Sequence, residues 1–187
     1  MGVATTIPAG RQRDAERDFN ALFESHYDAV LAYAIRRTDR TTAEDVAAET
    51  FAIAWRRLRS VPREARPWLL GVARKVLANT RRSAARRQAL VVRLARQPQS
   101  EELATSELSD LGAALSRLGE KDREALLLAA WEGLPPREAA TVMGVTPTVY
   151  RVRLYRARRR LKAELEGGVD APAPRERAVT EAKEHAR

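Results

Sequence analysis

Apolar residues recur at Phe19, Leu22, Phe23, Tyr27, Val30, Leu31, Ala34 and Ile35. Intervals of three and four residues match one turn of an α-helix and place these side chains on a common stripe. The same spacing returns along the chain, and no strand-like alternation persists beyond a few residues. This periodicity predicts an all-α protein. A second helix opens at Thr42-Ala43-Glu44-Asp45, a sequence that resembles a capping box with Asp in place of Glu or Gln. It carries Val46, Phe51, Trp55 and Leu58, and Val61-Pro62 closes it. Pro67 suits the first turn of a third helix, where its missing N–H costs little. Trp68, Leu69, Val72, Val76 and Leu77 supply that helix's buried face.

The composition changes between Gln97 and Asp110, where Pro98, Ser100, Glu101, Glu102, Thr105, Ser106, Glu107 and Ser109 suit a polar, acidic connector. Beyond it, Leu108, Leu111, Leu115 and Leu118 mark one short helix and Leu126, Leu127, Leu128 and Trp131 another. At 187 residues the chain has room for two small domains. The expected organisation is two small helical domains joined by a flexible linker. Residues 1–14 form a flexible N-terminus, 15–96 the first domain, 97–107 the linker, 108–166 the second domain and 167–187 a flexible tail.

The absence of cysteine removes disulfides, thiolate metal sites and cysteine nucleophiles together. His26 and His185 lack the cysteine or acidic spacing of a metal site, and His26 is expected beside the first helix's core. There is no Gly-rich loop to cradle a phosphate. No cofactor, metal or catalytic residue is therefore expected. No secretory signal or membrane-length apolar run is present, which favours a cytoplasmic protein without membrane insertion.

Charge points to the partner. Thirty-four Lys and Arg face 25 Asp and Glu, for a net charge of +9, so an anionic polymer or a lipid surface is favoured. From Arg56 to Arg96 thirteen basic residues face the single acid Glu64. Such a tract binds phosphates without reading sequence; a solvated face, RNA or a membrane patch remain alternatives. The stretch TPTVYRVRLYRARRRLKAELE, Thr146 to Glu166, carries seven more between Arg151 and Lys162. At about 100° per residue, Tyr150, Leu154, Ala157, Leu161 and Leu165 form a buried stripe, and Arg151, Val152, Tyr155, Arg156 and Arg159 lie opposite. Pro136 to Met143 reads as a short helix, Gly144 as the turn and Thr146 as the next cap. Together these predict a helix-turn-helix whose second helix enters the major groove. Arg151 and Arg156 are candidates for guanine or phosphate, and Val152 and Tyr155 for a thymine methyl. Arg158 to Arg160 are candidates for positioning the backbone. A solvated basic helix is the structural alternative.

Three stretches, in order, resemble one family. TAEDVAAETFAIAW (Thr42 to Trp55), ARPWLLGVARKVLANTRR (Ala65 to Arg82) and EGLPPREAATVMGVTPTVYRVRLYRARRRL (Glu132 to Leu161) are similar to successive segments of the extracytoplasmic-function (ECF) sigma factors of bacterial RNA polymerase. The resemblance spans about Phe19 to Leu165. It implies a promoter-specificity subunit, not an enzyme, that binds core RNA polymerase and promoter DNA, with an anti-sigma factor as a further partner. Under it, Glu44, Asp45 and Glu49 contact the polymerase. Arg63, Arg66, Trp68, Arg74, Lys75, Asn79 and Arg82 serve the minus-ten element. Thr148, Arg151, Val152, Tyr155, Arg156 and Arg159 serve the minus-thirty-five element. The alternative is an autonomous helix-turn-helix transcriptional regulator.

Overall fold

The computed structural model describes residues 9–94 and 109–167. The expected linker at 97–107 and the expected tail beyond Gly167 lie outside the described residues. Seven α-helices and no strand are present among those described: α1 (Ala9–Ile35), α2 (Arg40–Arg56), α3 (Ala65–Leu94), α4 (Ser109–Arg117), α5 (Glu120–Ala130), α6 (Pro136–Met143) and α7 (Pro147–Gly167).

In the first half, α1 begins at Ala9, inside the segment expected to be a flexible N-terminus. The start of α2 also differs from the expected capping box at Thr42. Asp39 is the N-cap, its carboxylate accepting from the Thr42 N–H at 2.9 Å, so the helix begins three residues earlier. The physical reason is that Asp39 has the extended backbone of a cap and the free acceptor, whereas Thr42 is already inside the first turn as donor. The far end of α2 is earlier too: the helix stops at Arg56, and Leu58–Ser60 make one 3-10 turn before Val61-Pro62. Pro67 falls in the first turn of α3, as its chemistry allows. Val30, Tyr33 and Ala34 of α1, Val46, Ala47 and Phe51 of α2, and Leu69, Leu70 and Leu77 of α3 are buried together.

In the second half, α4 and α5 are joined by a tight turn that one side chain organises. Arg123 donates to the carbonyls of Leu115 (2.8 Å), Ser116 (2.8 Å) and Leu118 (3.1 Å), which supplies partners to the orphan acceptors at the end of α4. Gly144 ends α6 with φ +66°, the left-handed conformation that glycine adopts without steric cost. The Thr146 hydroxyl then accepts from the Val149 N–H at 3.3 Å, capping α7. Tyr150 is fully buried and donates its hydroxyl to the Ala125 carbonyl at 3.0 Å, fixing α7 to α5. Ala157, Leu118 and Leu126 form a second small apolar cluster, with Leu115, Leu154 and Leu161 packed on it.

The two halves are not independent bodies. One apolar cluster runs from α1–α3 into Ala125, Leu128, Leu134, Ala139, Ala140, Val142 and Tyr150. Gly71 brings α3 against α6, where a Cβ on residue 71 would lie 3.6 Å from the Val142 Cα and carbonyl oxygen. A buried polar cluster also joins the halves. Arg37 Nε donates to Glu124 Oε2 at 2.9 Å, and its Nη1 to Glu132 Oε1 at 3.0 Å and the Tyr33 carbonyl at 2.9 Å. The Tyr33 hydroxyl donates to Glu124 Oε1 at 2.7 Å. Burial first, and the Glu124 charge second, push the Tyr33 phenol well above its ordinary pKa, so it remains a donor throughout the neutral range.

Candidate nucleic-acid interface

The exposed side of α7 follows from what its other side buries. Tyr150 and Ala157 are wholly buried, and Leu154 and Leu161 partly so; Leu165, assigned to the same stripe, is 36% exposed. Thr148, Arg151, Val152, Tyr155, Arg156 and Arg159 are all exposed, Tyr155 at 62% and Val152 at 45%. The structure thus brings the six candidates together on one face. Arg151, Arg156 and Arg159 make no hydrogen bond or ion pair among the described residues, so their guanidinium donors face water. A large aromatic and a valine left in water between unpaired arginines suit base edges, thymine methyls and phosphates.

Two arginines at the edge of this face are tied to α5 by an acid that the sequence does not single out. Asp122, buried near the start of α5, accepts an ion pair from Arg160, and Arg153 Nη1 stands 3.8 Å from its other oxygen. Asp122, Thr148, Val149, Val152, Arg153, Arg156 and Arg160 line an open cavity of about 430 Å³ alongside the exposed stripe. Arg160, a candidate for positioning the DNA backbone, is paired with the acid on α5 while its side chain stays 65% exposed. The signal in the sequence was slight: an Asp in a predicted helix has no preferred partner until α5 and α7 are docked.

The candidates around α3 divide into two groups. At about 100° per residue, Trp68, Lys75, Asn79 and Arg82 fall within about 60° of one another. Lys75, Asn79 and Arg82 are exposed, and Trp68 is half-buried against the core. Arg63 is exposed in the preceding loop. Arg66 and Arg74 lie on the other side of the helix. Arg66 Nη2 donates to the Glu132 carbonyl at 3.0 Å, and Arg74 lines a cleft of about 520 Å³ with Tyr33, Arg37 and Glu124. The structure therefore separates these two from the exposed stripe. His26 is half-buried, and burial first, then the Arg66 cation, lowers its pKa.

The acids of α2 face outward because Ala43, Val46, Ala47, Thr50, Phe51 and Ala54 take the inward positions. Glu44, Asp45 and Glu49 are exposed; Glu44 pairs with Arg40 at 3.0 Å and Glu49 with Arg56 at 2.9 Å. Near them an aromatic group joins α1 to α2. Phe19 meets Trp55 edge-on at 5.1 Å between ring centroids, and Phe23 meets Phe51 at 4.8 Å. Phe23 and Trp55 remain more than a third exposed. Among the described residues, no helix is long and apolar enough to cross a membrane, and no group of three or more His, Asp or Glu could hold a metal ion.

Comparison with known proteins places both halves. Residues 22–87 match the family Sigma-70 region 2, and residues 108–161 match Sigma-70, region 4. The chain is 33% identical over 159 residues to the ECF RNA polymerase sigma factor SigL of Mycobacterium tuberculosis, covering 78% of this chain and 88% of that protein. Among solved structures it resembles CnrH in complex with the cytosolic domain of CnrY, with TM-score 0.59, 28% identity and coverage of 83% of this chain and 91% of that one. It also resembles the sigma factor RpoE bound to the anti-sigma factor NepR from Bartonella quintana, with TM-score 0.58, 25% identity and coverage of 83% and 99%. Two family regions in order, on a helical frame with a solvent-facing helix-turn-helix, settle the assignment: the chain belongs to the ECF family of RNA polymerase sigma factors.

Proposed function

We propose that the chain binds core RNA polymerase in the cytoplasm and directs it to promoters through two separate DNA contacts, without catalytic chemistry of its own. The observation that carries this reading is the exposed stripe of α7, where arginines without a partner among the described residues flank Val152 and Tyr155 on a helix locked from behind by Tyr150. Thr148, Arg151, Val152, Tyr155, Arg156 and Arg159 read the minus-thirty-five duplex in the major groove. Arg63, Trp68, Lys75, Asn79 and Arg82, with Arg74 and with Arg66 once freed from the Glu132 carbonyl, hold the minus-ten strand. Cations along a backbone and an aromatic surface for bases suit opened single strand. Glu44, Asp45 and Glu49 meet the polymerase.

An anti-sigma factor is the expected protein antagonist, since the structural relatives RpoE and CnrH were solved with NepR and with CnrY. The test is reconstitution. Purified chain mixed with bacterial core polymerase is expected to form a complex and to start transcription at specific promoters. Absence of core binding rejects the reading. Tight, specific duplex binding without polymerase supports the autonomous regulator instead.

A further inference from the structure

The edge of α7 that faces α5 carries a buried acid among cations that could bind DNA without it. Asp122 stands in the first turn of α5, where a negative charge suits the helix dipole. That preference does not require burial, yet the Asp122 side chain is only 12% exposed. Arg160 of α7 donates to one carboxylate oxygen, and Arg153 Nη1 stands 3.8 Å from the other. Helix rotation explains the convergence. At about 100° per residue, Val149, Arg153, Arg156 and Arg160 fall within about 60° of one another, between the buried stripe and the reading stripe.

The acid does not cancel these cations. Arg160 keeps its side chain 65% exposed while paired, so the carboxylate lies inward and the guanidinium outward. Arg153 is too far from Asp122 for a hydrogen bond, and its buried Nε has no hydrogen-bond partner. With Arg156, three guanidiniums and one carboxylate line the open cavity of about 430 Å³, which leaves it cationic and with donors to spare.

Such a seat suits a phosphodiester. A helix with its side chains is about 10 to 12 Å across and the major groove about 12 Å wide, so both edges of a recognition helix run along backbone strands. On the opposite edge of α7, Arg158 makes no hydrogen bond or ion pair among the described residues. The α5 edge is therefore the one with arginines ordered before DNA arrives. An arginine already held gives up less side-chain freedom on binding than a free one. A phosphate gripped at one fixed point also sets where the neighbouring side chains meet the bases.

We propose that Asp122 is a positioning residue for promoter recognition: it holds Arg160 and Arg153 over the cavity, where they seat one backbone phosphate of the minus-thirty-five duplex and fix the register in which Val152, Tyr155 and Arg156 meet the bases. This rests on the sigma-factor reading above.

Ethylation interference, on a promoter that the wild-type chain transcribes with core polymerase, reads each phosphate separately. Ethylating the seated phosphate should block wild-type holoenzyme binding, and Asp122→Asn should abolish the interference at that phosphate alone. The same variant should lower promoter affinity about tenfold and shrink the log–log salt slope by about one. Arg160→Gln should reproduce these effects, and the double variant should lose no more than either single one, because the two residues serve one contact. If Asp122→Asn loses its helical circular dichroism, Arg160→Gln decides the question alone. Tighter binding by Asp122→Asn, expected if the acid competes with DNA for the arginines, overturns the proposal. An interference pattern that is unchanged or weakened evenly at every phosphate, or additive losses in the double variant, also overturns it. If the wild type starts no transcription with core polymerase, the sigma-factor reading fails; transcription accompanied by any of those patterns rejects only the positioning role.

Discussion

Truncating Arg151 or Arg156 to alanine separates a recognition role from a structural one. Both side chains are exposed on α7 and make no intramolecular hydrogen bond or ion pair among the described residues. Their loss should therefore change folding stability by no more than about 0.5 kcal/mol. If each arginine grips a base edge, its loss should cost about 1 to 3 kcal/mol of discrimination, which is about 5- to 150-fold in relative promoter preference. If one holds a phosphate instead, affinity should fall evenly across sequences, and the log–log salt slope should shrink by about one. Initiation by reconstituted holoenzyme on templates randomised over the minus-thirty-five element measures preference, and thermal unfolding measures stability. Unchanged preference and unchanged salt slope in both variants would refute the reading face. Loss of preference accompanied by a large fall in melting temperature would show that the arginines act through the fold.

Other expectations concern the elements that present this face. Gly144→Val forces a β-branched residue into the left-handed region and should cost about 1 to 2 kcal/mol, or about 2 to 8 °C in Tm; an unchanged melting curve contradicts the turn. Arg123→Met strips the carbonyls of Leu115, Ser116 and Leu118 of their shared donor and should cost about 3 kcal/mol. Amide exchange should then quicken first at the α4–α5 turn, and uniform quickening through α1 and α2 contradicts the local role. Asp39 has its pKa lowered from 3.8, chiefly by the Thr42 N–H it accepts. Its capping contribution is fully present above the unfolded value and disappears as pH falls through the lower, folded one. Asp39→Asn keeps an acceptor that does not titrate, so its melting temperature should fall less than the wild type's on acidification below 3.8; parallel acid profiles contradict the cap.

Periodicity made α7 legible in advance, because burial of Tyr150 and Ala157 settles which way the arginines point. Gly144 and Thr146 were readable for a similar reason: a left-handed turn and a hydroxyl cap are local requirements that particular residue types meet. The cap of α2 was harder. Thr38, Asp39, Thr41 and Thr42 all belong to the capping set, and only the folded geometry selects Asp39. The joining of the two halves was not legible. Arg37 and Glu124 stand 87 positions apart, each reads alone as an ordinary charged helix residue, and no helical period links them. The family resemblance assigns Arg66 and Arg74 to the same element as Lys75 and Asn79, but rotation along α3 turns the first two toward the other domain.

Photo-crosslinking from single positions in the holoenzyme provides the most direct test of two-point promoter recognition. A photoreactive residue replacing Tyr155 should attach to duplex DNA near minus thirty-five, and one replacing Asn79 to the strand near minus ten, both only when core polymerase is present. Attachment of either position to the opposite element, or equal attachment without polymerase, contradicts the proposed division of labour between α7 and α3.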